Sequence, residues 1–599
     1  MPGSQISEMT LLSTDIAVAE IEQRLPATPQ AFWKRADVWL ALALTLAAPL
    51  GYALYTGHIW EDYFITFRHS QHLCEGKGLV YNVGERVHGF TSPLGVLLPA
   101  LCYVITGKTS YVPALWLFRA LCIAAFVGGG LLVLRRLQDA SSPALVRYAF
   151  VFAYALDAKS VAFTANGMET AFMLLFVGLG IFLWGRSSQR AWWLRGLAWA
   201  GLMWTRPDGC LYIAVLCLGE LLFAETCKEK LLKSFARSGL LATAVYGPWV
   251  VFCFWYYGSP IPQTVRAKAP TLLGSGWDIA WAILQRIPTR AAAAYGPFYF
   301  PVLWQNGPFW LYPFTYALGT VALIYWLLPV RDQLGRIASF CFMILCVYMA
   351  YVEPVFPWYL PPVALFGSVA LCHAFSRLAP IAARLLGRLG SLNRSLVSPA
   401  TTVFAILCLA GGVAVGIAVE DRITVRQVYL QQRYIEWGNR AQIGLWLKEH
   451  AHPDETVFLE PIGYVGYFSD AHIRDWPGLV SPDVTLLRKK QIGFRTIVND
   501  LAPAWCLYRP HEVKDILESN LQFLPNYVPV KVFDVRPKLK GHGTVHGIDY
   551  LMLDAVYLLF RRKTGPFANS VPAEFRESAK ECEAYMAPLM PPKEAVAKK

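Results

Sequence analysis

The stretch Ile59–Asn82, IWEDYFITFRHSQHLCEGKGLVYN, follows the first long apolar run of the chain and sets two adjacent carboxylates, Glu61 and Asp62, at its edge. Acids at such a place either mark a wet loop or supply a base held at a membrane surface. The run before them, 37–56, has the length of about 20 residues that crosses a hydrocarbon core. Of 599 residues, 55% are hydrophobic and only 16% charged, with 21 tryptophans. A soluble domain would carry about 25% charged residues. Runs of this kind recur, so the fold class is a polytopic α-helical membrane protein. The first 36 residues are polar, end in Lys34 and Arg35, and lack a cleavable leader pattern. They read as a cytoplasmic segment before an uncleaved anchor.

The net charge of +13 raises the question of nucleic acid. Residues 420–599 hold 24 Lys/Arg against 22 Asp/Glu, so the excess sits in the apolar part. Positive-inside loops account for it, and no nucleic-acid partner is expected. Thirteen cysteines show no CxxC or Cys/His spacing, which supports neither a metal site nor a disulfide framework. A Cys506–Cys582 bridge is the one pairing open outside the apolar segments.

Eleven spans fit the pattern: 37–56, 111–134, 145–163, 169–185, 193–206, 209–224, 238–257, 308–330, 337–352, 356–376 and 399–419. The short apolar stretch 93–106 contains Pro93 and Pro99. If it lies at the interface without crossing, the loops 135–147, 186–195, 225–237, 331–336 and 377–397 fall inside with sixteen Lys/Arg against four acids. A crossing there would put Arg135 and Arg136 outside, against the charge rule. With the first outer loop at 57–110, every polar cluster of chemical interest then gathers on one face: Glu61–Asp62, Asn166 to Glu169, Arg206 to Asp208, Gln263 to Lys268, and Glu353 to Tyr359. Ionisable groups at span edges are costly unless they face water or a site, so these imply a shared cavity. In TRPDG (205–209), Arg206 and Asp208 interrupt what would otherwise be one apolar stretch.

Beyond 420 the pattern changes. Residues 434–450 have helical spacing, ETVFLEP reads as a strand and IGYVGYFS as a Gly-punctuated turn. APAWCLYR and VPVKVFDV read as strands around a helix at 511–520, and LDAVYLLFRR as a last strand. These predict an outer α/β domain over 420–563, after a transmembrane domain over 37–419. Residues 564–599 read as a loosely ordered tail.

EDYFITFRHSQHLCEGKGLVYNVGERVHGFTSPLG, Glu61 to Gly95, resembles the first outer loop of GT-C type membrane glycosyltransferases. The group it is most similar to contains mycobacterial terminal arabinofuranosyltransferases and pilin arabinosyltransferases of Gram-negative bacteria. The acidic pair, the run Ile65 to Arg68 and the turn Gly76 to Asn82 carry the likeness. Val83 replaces the usual Pro, and His88 the usual Glu. NGMET (166–170), TRPDG, PQTVRAKA (262–269) and IGYVGYFSDAHIRDWPGL (462–479) extend it.

The resemblance implies a plasma-membrane enzyme of the bacterial inner-membrane type, with its C-terminal domain periplasmic. It would move a sugar, D-arabinofuranose in the first instance, from a polyprenyl-phosphate donor to a glycan, glycolipid or protein acceptor. An acid at the end of the first span would act as base, with inversion. Asp62 is the expected base, with Glu61 as partner or alternate. Arg206, Lys268 and Arg266 are the candidates for donor phosphate, where Arg offers a bidentate fork and Lys a point charge. Glu169 and Asp208 either orient these cations or bind sugar hydroxyls. Trp358 and Tyr359 either stack on a sugar or mark the interface, and Asp475 would shape the acceptor site. Arg68 stands too far along its helix to face Asp62. His58, His69, His72 and His88 lack metal-ligand spacing. No cofactor and no metal are expected. The alternatives are a transferase for another polyprenyl-phosphate sugar, such as mannose or a uronic acid, and a transporter of a lipid-linked sugar.

Overall fold

The computed structural model describes residues 32–186, 188–268, 275–296, 310–352, 355–392, 399–542, 545–563 and 576–590. Most of the N-terminal segment, and Glu353, lie outside them. Among the described residues, five helices are long and apolar enough to cross a membrane: Ala36–Thr56, Tyr111–Asp139, Lys228–Tyr257, Gln333–Tyr351 and Pro357–Arg377. Leu94–Ile105, Ala144–Ala155, Thr170–Phe182, Gly209–Phe223 and Leu311–Leu327 are apolar but shorter. Among the described residues a helix stands at each expected span, and several are shorter than a full crossing. The expected span 145–163 breaks into Ala144–Ala155 and Ala158–Ala165, because Asp157 caps the second piece by accepting from the Ser160 N–H at 2.8 Å. Leu94–Ile105 has twelve residues. At 1.5 Å per residue that is about 18 Å, short of a hydrocarbon core of roughly 30 Å.

The opening stretch takes its shape from local chemistry. Gly57 adopts a left-handed conformation, φ 60°, and returns its N–H to the Ala53 carbonyl at 2.9 Å, which ends the first helix. After His58, Ile59 and the extended Trp60, the Glu61–Cys74 helix begins with both acids in its first turn, where the helix dipole favours negative charge.

The Pro399–Leu430 helix runs through the boundary expected near 420 and continues as a π-helical stretch, Gln431–Arg440, and then Ala441–His450. A five-stranded sheet follows: β1 Thr456–Leu459, β2 His472–Asp475, β3 Trp505–Tyr508, β4 Tyr527–Asp534 and β5 Val556–Arg562, in the order β2-β1-β3-β5-β4. β2, β1 and β3 are parallel, and β5 runs antiparallel to both neighbours. β3 is buried along its length, as expected of a strand covered on both faces.

Three readings need correction. IGYVGYFS contains a helix, Tyr464–Ser469, whose glycines serve close approach instead of a turn. Part of the expected tail, Arg576–Met586, is a helix against β4; Ala579, Cys582 and Met586 form a buried stripe that the surrounding Lys and Glu obscure. Cys506 and Cys582 are both free and buried, so no bridge joins them.

The first-loop motif acts as the dock for the sheet. Arg68 donates to the carbonyls of Gly466 and Ala471 at 2.5 and 2.8 Å. The Tyr81 hydroxyl donates to Ile462 O at 2.6 Å. The Asn82 amide pairs with the backbone of Ile473 through both atoms, at 3.0 and 3.1 Å, as a neighbouring strand would. Glu85 takes a bidentate pair from Arg474 at 2.7 and 3.0 Å.

Candidate active site

The motifs expected at the outer face converge on a cavity of about 400 Å³ lined by Asp62, Glu169, Arg206, Asp208, Lys268, Trp358 and Tyr359, among others. Each arrives by its own local device. Gly167, at φ 94°, lies against the Tyr63 ring, and Asn166 accepts from Met168 N at 3.2 Å, which delivers Glu169 to the next helix start. Arg206 is extended between two helices, and Gly209 packs on the Leu202 carbonyl so that the chain can turn back there. Gln263 donates to Gly478 O and Thr485 Oγ1 at 3.0 and 2.8 Å, anchoring the short Gln263–Ala267 helix that presents Lys268.

The two acids of the opening stretch separate here. The Asp62 carboxylate has no hydrogen bond or ion pair among the described residues and opens on the cavity. Burial pushes its pKa up, opposed by Lys268 and Arg206. Glu61 is engaged: Oε2 accepts from Arg440 Nη1 at 2.7 Å and Oε1 from the Gly463 N–H at 3.1 Å. Arg440 also pairs with Glu436 at 3.1 Å and Asp554 at 2.7 Å. Burial pushes Glu61 up, to about 8, against the pull of Arg440.

The cations differ too. Arg206 is buried, donates to Asp208 at 3.2 Å, and lies 4.4 Å from the Tyr359 ring. Lys268 has no anionic partner among the described residues; its Nζ stands 4.4 Å from the Phe356 ring and 5.6 Å from Trp358. Burial lowers its pKa, yet Asp62 draws it back. An unsatisfied ammonium beside an arginine, facing an unpaired carboxylate, can hold an anion and accept a proton close by.

Other expected residues stand elsewhere. Arg266 is exposed and donates to Ser259 at 2.6 Å, on a different side of its short helix from Lys268, two positions on, which lines the cavity. Asp475 is fully buried and accepts from the N–H groups of Leu479 and Val480 at 2.5 and 3.0 Å. It shapes the loop that carries Leu479 to the cavity without lining it. Trp358 is buried between Phe356, stacked at 4.7 Å, and Trp60 at 5.7 Å. His69 and His72 donate to the Ile65 and Val80 carbonyls, His58 meets the Tyr52 hydroxyl at 3.0 Å, and His88 stacks on Tyr257. Sequence reading held Thr264 and Phe356 only within longer clusters, and missed Tyr348 on the cavity wall and Arg440 behind Glu61. Glu436 and Arg440, four apart on a helix, were the available signal for the last.

Gly463 packs so closely on Glu61 that a Cβ would fall on its Cγ and carbonyl oxygen. Gly463→Ala is therefore expected to cost about 1–3 kcal/mol as overpacking, read as a lower Tm of the purified protein. Gly493, with open space around it, provides the control substitution. Equal Tm values for the two variants would refute the close approach.

Comparison with known proteins bears on what such a site does. Residues 426–552 match a domain of unknown function (DUF8728). The chain is 26% identical over 246 residues to a terminal β-(1→2)-arabinofuranosyltransferase of Corynebacterium glutamicum, covering 37% of this chain and 34% of that protein. It is 26% identical over 262 residues to the protein of the same name from Mycobacterium tuberculosis, covering 39% and 38%. The resemblance drawn from the motifs is thus met again in relatives of that name. The match spans only about a third of their length. Among solved structures, ArnT from Cupriavidus metallidurans is similar over 90% of this chain at 12% identity, with a TM-score of 0.49. The same enzyme bound to undecaprenyl phosphate gives 13% and 0.48.

Proposed function

We propose that this chain is a GT-C type glycosyltransferase that moves a sugar, D-arabinofuranose in the first instance, from a polyprenyl-phosphate donor to an acceptor hydroxyl at the outer face of the membrane. The observation that carries the reading is the unpaired Asp62 carboxylate in a cavity shared with Lys268 and Arg206. Asp62 takes the proton of the acceptor hydroxyl as its oxygen bonds to the anomeric carbon. The bond from that carbon to the phosphate oxygen breaks, and the lipid phosphate leaves with the bonding pair. Lys268 and Arg206 stabilise the charge that builds on it. Attack opposite the leaving phosphate inverts the anomeric centre. Glu169 and Asp208 orient Arg206 and meet sugar hydroxyls, while Trp358 and Tyr359 form the apolar wall. The relatives' names support arabinose over mannose or a uronic acid, and the gathering of polar groups in one cavity supports chemistry over transport.

Reconstitution with polyprenyl-phosphate-arabinose tests this directly. Turnover to a glycosylated acceptor is expected; transfer from a nucleotide sugar without lipid carrier would overturn it. Lys268→Gln is expected to weaken polyprenyl-phosphate binding roughly 10–100-fold, the size of a charged hydrogen bond. Arg266→Gln is expected to leave that binding unchanged, since its side chain faces Ser259. Equal effects of the two would refute the phosphate assignment.

A further inference from the structure

A second cavity, of about 350 Å³, shares Asp62, Phe356 and Trp358 with the first. Its remaining wall comes from Trp60 and from the sheet region: Glu460, Arg509, His511, Tyr550 and Asp554, with Glu61 and Arg440 at its base. Glu460 directly follows β1 and Arg509 directly follows β3. The chain passes from β1 to β2 on one side and later returns to β3 on the other. The crevice therefore lies at the carboxyl ends of two adjacent parallel strands where the strand order reverses, the position at which open α/β sheets bind ligands. Its size falls in the range of small-ligand sites, from about 300 Å³ upward.

The charges of this crevice select its ligand. Both guanidinium groups are spent on the protein. Arg509 gives Nε to Asp554 at 2.6 Å, Nη1 to Glu512 at 3.1 Å and Nη2 to Glu460 at 2.7 Å. Arg440 gives its terminal nitrogens to Glu61, Glu436 and Asp554, and its Nε is buried out of reach. Four carboxylates, Glu61, Asp62, Glu460 and Asp554, face two arginines, so an anionic ligand would meet an excess of carboxylates and no free guanidinium. Hydroxyl groups would meet the carboxylates of Asp62 and Glu460, and Trp60 and Tyr550 stand in the lining of the crevice. The first cavity is the opposite case, with Lys268 unsatisfied.

We infer that this crevice binds the acceptor, and binds it as an uncharged polyhydroxylated chain that presents one hydroxyl to Asp62, with Glu460, His511 and Tyr550 as specificity-determining contacts. The inference rests on the reading of Asp62 as base. It goes beyond that reading in excluding acceptors whose terminal unit carries a carboxylate or phosphate.

The test uses the full chain in nanodiscs, with arabinotetraose and xylotetraose as neutral probes and trigalacturonate as the anionic one, titrated by saturation-transfer NMR. At least one neutral probe is expected to bind at least tenfold more tightly than trigalacturonate, with little change in raised salt. His511→Ala, at an exposed position, and the near-isosteric Glu460→Gln are each expected to weaken it roughly 3–10-fold. Polyprenyl-phosphate binding by both variants should stay within twofold of wild type. Tighter binding of the anion, no binding of either neutral probe, or variants that leave neutral binding unchanged would each overturn the inference. Failure to turn over any polyprenyl-phosphate sugar, with neutral binding and its loss in the variants intact, would place the fault in the donor reading.

Discussion

Asp62→Asn is expected to lower sugar transfer by a factor of about 10²–10⁴, the contribution of a positioned general base, while polyprenyl-phosphate binding survives. The substitution keeps the shape of the side chain and removes its capacity to take a proton. It also removes a negative charge beside Lys268, so phosphate binding should hold or tighten. Glu61→Gln makes the sharp comparison. Glu61 already accepts from Arg440 on one oxygen and from the Gly463 N–H on the other, so its charge is engaged by the protein. Its loss should cost stability first and turnover less. Burial raises the Asp62 pKa, so the acid limb of kcat/KM should fall at a pH above the ordinary carboxylate range. The base must be ionised, so activity drops as pH falls through that limb. Separate turnover and donor-binding measurements on both variants decide the matter. Near wild-type turnover by the Asp62→Asn enzyme would move the search to Glu169 or Asp208.

Much of this site was legible because span-edge charges are expensive. Glu61, Asp62, Glu169, Arg206, Asp208 and Lys268 each interrupt or border an apolar run, and their convergence follows from that cost. What sequence could not separate was the acidic pair. Adjacent residues on a helix differ by about 100° in direction, and which one meets a cavity depends on partners hundreds of residues away. Arg440 is such a partner, 379 positions along the chain from Glu61. Arg266 and Lys268 show the same limit, since two positions on a short helix separate an exposed side chain from one at the cavity. Four of the five strands after 455 were readable from β-branched and aromatic runs; β2, HIRD, was not, since Ile473 is its one β-branched or aromatic residue, and IGYVGYFS misled. Gly463 and Gly466 read as turn residues, whereas they admit Glu61 and the Tyr81 hydroxyl against a helix. The turn Gly76 to Asn82 carried the likeness without a stated role; Tyr81 and Asn82 dock the sheet on the loop.

Arg440→Met is the substitution expected to damage stability most, by about 3–5 kcal/mol, the cost of removing one partner from a buried ion pair. Arg440 is 6% exposed and serves Glu61, Glu436 and Asp554 together. Methionine fills much of the same volume, so the loss reports charge more than packing. The pH dependence gives the prediction its sign. Burial raises Glu61 to about 8 and raises Glu436 even with Arg440 present. A carboxyl whose folded pKa exceeds its unfolded value binds more protons when folded, so its stability contribution falls as pH rises between the two values. Removing Arg440 takes away the pull that limits both shifts and widens that window upward. Asp554 behaves otherwise: burial pushes it up, but Arg440 and Arg509 overcome this and hold it at about 2. Arg509 remains in the variant, so Asp554 should stay ionised near neutrality. The Tm difference between Arg440→Met and wild type should therefore shrink as the pH is lowered from about 9.5 to about 7, through the wild-type Glu61 value of about 8, where Glu61 takes its proton. Arg440→Lys, which keeps the charge but not the fork, should recover part of the loss. A difference that is flat across this pH range, or equal for Met and Lys, would show that Arg440 acts through packing alone and not as the counter-charge that holds Glu61 away from the acceptor.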